Sequence, residues 1–290
     1  MYSKTKTIMK KIISFISLIL LSTVSSWATG QEGDIIYIDG VKMELLARPA
    51  ADKAIDGKRL LSMLPEKRVK TTANWDGVVG CWSIKANKLV LDSMIVEMYT
   101  DKRGEYKTER VDKDVINDIF AKYTKEGKVV ASWFSGTVRA ASGKTLLYEH
   151  SAFERYSEHE IIIDVKNGEV VKMQRCNNSM LTNGFTIRGT KYDDLWKKID
   201  IHPEKYANLK GCDRVDFKIE GMKFNKKGEL LSCKVTATPF TDKKKGTAHC
   251  AIASDMEKAL KKIKPWKTYM INGDIVIDIS PVWHLTYRMK

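Results

Sequence analysis

Residues 254–288 read SDMEKALKKIKPWKTYMINGDIVIDISPVWHLTYR. Ser254 with Glu257 three residues later has the form of a capping box, in which hydroxyl and carboxylate each take one free helix N–H. Met256, Ala259, Leu260 and Ile263 then form one apolar stripe at helical spacing. Lys258, Lys261, Lys262 and Lys264 crowd the far end, where cations offset the negative end of the helix dipole. The spacing predicts a helix from about Asp255 to Lys264, stopped by Pro265-Trp266. Asn272-Gly273 predicts a turn. Beyond it Ile275, Ile277, Ile279, Trp283, Leu285 and Tyr287 share one parity with Pro281, and Val276, Asp278, Ser280, His284, Thr286 and Arg288 share the other. That alternation predicts a strand from Ile275 to Tyr287 with one buried face. Pro281 cannot donate to a ladder, so it marks an edge or an irregular pairing.

Upstream, Val215, Phe217 and Ile219 alternate with Asp216, Lys218 and Glu220. After Gly221 the apolar phase shifts to Met222 and Phe224, the mark of a bulge. Lys226-Lys227-Gly228 turns the chain, and Leu231, Cys233, Val235 and Ala237 are the expected inner face of the return strand. Before this hairpin, Tyr192, Leu195, Trp196 and Ile199 predict a short amphipathic helix. Pro203 opens a second short helix through Leu209, ended by Gly211. Residues 177–189 hold few core formers and read as a loop or linker.

The succession of short helix, strand, Lys-Lys-Gly-Glu turn, strand, helix, Lys-Pro-Trp, Asn-Gly and proline-bearing strand resembles the TonB C-terminal domain. The resemblance covers about ninety of 290 residues. It implies one helix on a three-stranded antiparallel sheet over residues 200–290. In that family a peptide segment of an outer-membrane transporter pairs with a sheet edge, so backbone groups supply the affinity. Carried over, the contact falls on Ile277, Ile279, Pro281, Trp283 and Leu285. Ser254, Glu257, Pro265, Trp266, Asn272 and Gly273 carry the structural motif.

Residues 33–180 read as a separate β-rich domain. Asp39-Gly40 predicts a type I′ hairpin between Ile35–Ile38 and Val41–Leu46. Val78–Ile84 and Leu89–Met98 predict a second pair around residues 85–88. Asp112 starts a helix with Val115, Ile116, Ile119, Phe120 and Tyr123 on one face, and Gly127 is placed as its left-handed cap. Residues 129–138, 145–148, 160–165 and 169–173 are further strands, with Asn167-Gly168 between the last two. The expected fold class is therefore α+β: a mostly antiparallel β-rich domain, a linker at 181–199, then the TonB-like domain.

Chemistry-bearing residues are sparse. His150, Glu154, Glu158, His159 and Glu160 form the densest polar cluster, but a strand sends His159 and Glu160 to opposite faces. No His-Glu-x-x-His helix, Gly-x-Ser-x-Gly elbow or Gly-rich phosphate loop occurs. Asn74-Trp75-Asp76-Gly77 sets an aromatic among turn formers; Trp75 and Trp82 could build a carbohydrate or peptide platform, and core packing beside a turn is the plainer reading. Five cysteines, Cys81, Cys176, Cys212, Cys233 and Cys250, make an odd count without a Cys-x-x-Cys, and Cys233 reads as a buried thiol. No metal, cofactor or catalytic residue is expected.

At the start, Lys4, Lys6, Lys10 and Lys11 precede an apolar run from Ile12 to Val24, and Ser26-Trp27-Ala28 supplies small residues for cleavage. Residues 1–28 read as a signal peptide; a retained anchor is the alternative. Removing them takes the net charge from +14 to +10, since four lysines leave and no acid does. The plain reading of this balance is a solvated, lysine-rich surface; as partners for an exported chain, anionic envelope surfaces fit it better than nucleic acid. The expectation is a non-enzymatic cell-envelope protein, periplasmic or else secreted or outer-membrane-associated. It would bind a transporter or another envelope protein by sheet-edge addition. The alternatives are a membrane-anchored energy transducer and an envelope hydrolase.

Overall fold

The computed structural model describes residues 30–241, 244–278, 280 and 282–289. The signal reading at 1–28, and Ile279 and Pro281 of the expected contact set, lie outside the described residues. Among the described residues, no helix is long and apolar enough to cross a membrane. The fold is mixed α+β and built mostly of strands.

β1 (Asp34–Ile38) and β2 (Val41–Leu45) form the expected hairpin, with Asp39 and Gly40 at φ of 49° and 78°. α1 (Gly57–Met63), capped by the Asp56 carboxylate on Arg59 N, lies in the crossover. That crossover lets β3 (Val78–Lys85) run parallel to β1. β4 (Lys88–Tyr99) returns from β3 through Ala86 and Asn87, and β5 (Tyr106–Arg110) folds back on β4. α2 (Lys113–Ile119) starts at Asp112 as expected but ends at Phe120, whose ring is fully buried. Gly127 is not its cap. With Glu126 it turns β6 (Thr124–Lys125) into β7 (Lys128–Val130). The strand expected over 129–138 is broken because Trp133 packs against Phe120 and Tyr123, at ring distances of 5.3 and 4.5 Å, and donates to the Pro49 carbonyl. β8 (Gly136–Tyr148), β9 (Arg155–Lys166) and β10 (Glu169–Asn177) complete a ten-stranded sheet ordered β10-β9-β8-β2-β1-β3-β4-β7-β6, with β5 on β4. Glu169 of β10 pairs with Lys88 of β4, so the sheet curls until its first strand meets β4. Trp82, Phe120, Ile36, Leu45, Leu89, Met94 and Ile163 fill the enclosed core.

The segment read as a loop after β10 contains a strand, β11 (Ser179–Thr182). α3 (Tyr192–Ile199) forms as expected and ends at Asp200 in the left-handed region. The helix expected from Pro203 to Leu209 is two single 3-10 turns, parted at Tyr206, whose backbone is extended. β12 (Arg214–Phe224) and β13 (Leu230–Thr241) form the expected hairpin, irregular at Gly221, where φ is +63°. The irregularity shifts the facing only at the start of β13: Leu230 is buried and Leu231 is 57% exposed, whereas Val235 and Ala237 are buried on the expected inner face. β14 (Lys244–Lys245) adds a fourth strand, so this sheet is ordered β14-β13-β12-β17 rather than three-stranded.

α4 spans Cys250–Lys262, five residues ahead of the expected start. His249 caps it, its Nδ1 accepting from Ile252 N at 3.2 Å. Ser254 therefore sits inside the helix, and no capping box forms. Glu257 instead accepts from Val235 N of β13. The strand expected from Ile275 to Tyr287 divides in two. β15 (Thr268–Ile271) and β16 (Asp274–Val276) make a hairpin at Asn272-Gly273, which joins β11 in a separate three-stranded sheet. β17 (Val282–Arg288) pairs with β12. Trp266 is fully buried; its Nε1 donates to the Leu260 carbonyl at the end of α4, and its ring meets Phe185 and Phe224. α4 lies on β13, α3 contacts Phe217 and Tyr287 through Trp196, and a second core gathers between them.

Candidate binding site at the edge of the second sheet

β17 closes one side of the four-stranded sheet and has β12 as its one strand neighbour among the described residues. Its alternation sorts the side chains. Leu285 is buried, Trp283 and Tyr287 are half-buried toward α3, and His284, Thr286 and Arg288 are exposed on the other face.

The backbone is sorted by the same period. Met289 N donates to the Asp213 carbonyl beside β12 at 2.9 Å, whereas Arg288 N donates away from β12, to Tyr192 Oη of α3 at 2.7 Å. In an antiparallel pair, residues two apart point their N–H and C=O groups the same way. Leu285 and Trp283 thus bond to β12, and Thr286 and His284 present their backbone groups outward. Ser280 Oγ covers the Val282 carbonyl on this side. Among the described residues, nothing covers those of His284 and Thr286.

Beside this edge lies a groove of about 1070 Å³, walled by Ile187, Tyr192, Leu195 and Trp196 and by the inner and outer rows of β17. Trp196 is 8% exposed and makes an edge-on contact with Tyr287 at 5.0 Å. Its indole Nε1 is buried without a hydrogen-bond partner. Tyr287 Oη donates to Glu204 at 2.8 Å. Burial, then this bond to a carboxylate, push the Tyr287 phenol up to about 12. Burial works to raise Glu204 as well, but hydrogen bonds from its own backbone, Tyr287 and His202 outweigh it and hold the carboxyl low. Tyr287 is therefore a fixed neutral phenol on an ionised acid across the neutral pH range, and it supports Trp196 from outside the groove's own lining.

Of the expected contact residues, Trp283 and Leu285 lie on β17 but turn into the core, and Ile277 packs against that core from the segment before β17. The outward backbone belongs to His284 and Thr286, which the residue-type pattern passed over as the polar parity. Pro265, Trp266, Asn272 and Gly273 lie away from this edge.

In the first sheet the polar cluster is dispersed. His150 Nδ1 meets Tyr148 Oη, His159 Nδ1 meets Asn177 Oδ1, and Glu160 is buried against Arg139 at 3.3 Å. No group of three His, Cys, Asp or Glu side chains among the described residues is placed to hold a metal ion. A cleft of about 450 Å³ beside β1 is lined by Glu32, Asp34 and Glu44. These acids have partners in the fold: Asn74 for Glu32, Gly80 N and Trp82 Nε1 for Asp34, and Arg155 for Glu44. All five cysteines are free thiols. No family model, curated protein or solved structure matches the chain.

Proposed function

We propose that this protein is a non-enzymatic binding protein of the cell envelope that takes an extended segment of a partner protein onto the edge of β17. The observation that carries the reading is the outward, uncovered backbone of His284 and Thr286 beside a groove with an apolar inner wall and a polar outer one. A buried backbone group left without a partner costs free energy, whereas an edge facing water can trade that water for a second strand. The strand order β13-β12-β17, with α4 in the connection between the two flanking strands and packed on β13, supports a TonB-like module as the source of this edge. The basic and apolar residues at 4–28 support export.

Thr286→Pro tests the edge. Its N–H faces away from β12, so proline removes the donor needed by an incoming strand and leaves the existing ladder intact. Partner capture from an envelope extract should fall at least about tenfold, from one lost hydrogen bond and the clash of the ring. Circular dichroism should be unchanged. Undiminished capture by a folded Thr286→Pro protein would exclude the β17 edge. Mass spectrometry of the native N-terminus separates an exported, processed chain, starting near Thr29, from an anchored transducer that keeps the run at 12–24.

A further inference from the structure

A strand laid on β17 must send its own side chains alternately to the two faces that β17 sorts. On the inner side they meet Leu195, Trp196 and Leu285, all buried or lining the groove. On the outer side they meet the row His284, Thr286 and Arg288. Among the described residues no carboxylate lies within 4 Å of the Arg288 guanidinium, and His284 has no hydrogen-bond partner. The charges of the next row are already engaged: Arg214 pairs with Asp216 at 3.4 Å and stacks on Phe240, and Asp216 also accepts from Thr286 Oγ1. Asp213 is the one carboxylate among the groove's lining residues. Across residues 200–290, Lys and Arg outnumber Asp and Glu.

Resting on the edge-addition reading, we infer that the partner segment alternates apolar and acidic side chains, the apolar ones facing Trp196 and the acidic ones facing Arg288 and His284. A second copy of this chain would bring a second basic row against the first, and like charges directly opposite on paired strands repel. A wholly apolar segment would leave Arg288 unanswered.

The test titrates the full chain with four six-residue peptides at low salt. Three alternate valine with glutamate, threonine or lysine; the fourth is the glutamate peptide N-methylated at alternate residues. The glutamate peptide should bind about three- to tenfold more tightly than the threonine peptide, as expected for exposed ion pairs, and the lysine peptide should bind most weakly. Added salt should narrow the gap. Arg288→Glu should reverse the order of the glutamate and lysine peptides. Equal binding of the three charge variants would overturn the inference and leave edge addition standing. Binding of the N-methylated peptide as tight as its parent, or binding of none of the four, would overturn edge addition and the inference with it.

Discussion

Asp34 shows what a single buried acid costs this fold. Its side chain is 2% exposed and sits on Gly80 N and Trp82 Nε1, with Arg48 at 4.0 Å. Burial pushes its carboxyl up to about 6, against the lowering effect of these bonds and of Arg48. A folded-state value above the unfolded 3.8 means that the native state binds the proton more tightly. Stability from this group is full below about pH 4 and is lost as pH rises to about 6, by up to about 3 kcal/mol. Asp34→Asn should remove that slope in denaturant titrations between pH 4 and 6. At pH 4 it should cost about 1–3 kcal/mol, because its amide cannot accept from both donors and one is orphaned. A variant with the wild-type slope would show that another group titrates. Nothing around Asp34 in the sequence announces it, since the two groups that donate to its carboxylate lie more than forty residues away. Cys233, read as a buried thiol from its alternation with Val235, faces the core side of β13 but is only half-buried. Burial, with Glu257 adding to the rise, pushes its thiol up to about 11.

Among elements, the ends of α4 separate local signals from tertiary ones. Ser254 and Glu257 have the capping-box spacing, yet the helix begins at Cys250 because Ile252 and Ala253 belong to the core. Ser254→Ala should therefore raise stability by a few tenths of a kcal/mol, since alanine is the better residue inside a helix. His249→Ala should lower it by about 0.5–1 kcal/mol through loss of the cap. Thermal unfolding of the two variants checks both signs, and a destabilised Ser254→Ala protein would restore the capping box. The hairpins at Asp39-Gly40 and Asn272-Gly273 were readable because a positive φ at both central residues selects such pairs. The continuous strand after Asn272 was misread for a related reason. Period-two alternation persists from Ile275 to Tyr287, but alternation carries no information about which neighbour each half pairs with. β16 goes to β15 and β17 to β12.

At the scale of the whole molecule, the two cores are tied by a buried polar network that includes Asn272 at the hairpin tip. Asn272 N donates to Asn178 Oδ1 at 2.8 Å and its Nδ2 donates to Glu160 Oε2 at 3.1 Å. Asn178 Nδ2 donates to the Ser157 carbonyl, and Glu160 holds Arg139. Asn178→Ala orphans two buried groups and should cost about 2–4 kcal/mol. Hydrogen exchange across residues 268–276 should then speed up about thirtyfold or more relative to the first sheet. Unchanged exchange would mean that the hairpin is held by its own packing alone. Local composition and period sufficed for the mixed α+β class, the short hairpins, the α3 stripe and the bulge at Gly221, because each depends on residues close in the chain. The division of the last strand, the joining of β11 to β15 and the open backbone of His284 and Thr286 came from pairing across long separations. Those contacts are set by which buried faces meet, and one strand's pattern is compatible with several partners until the chain has packed.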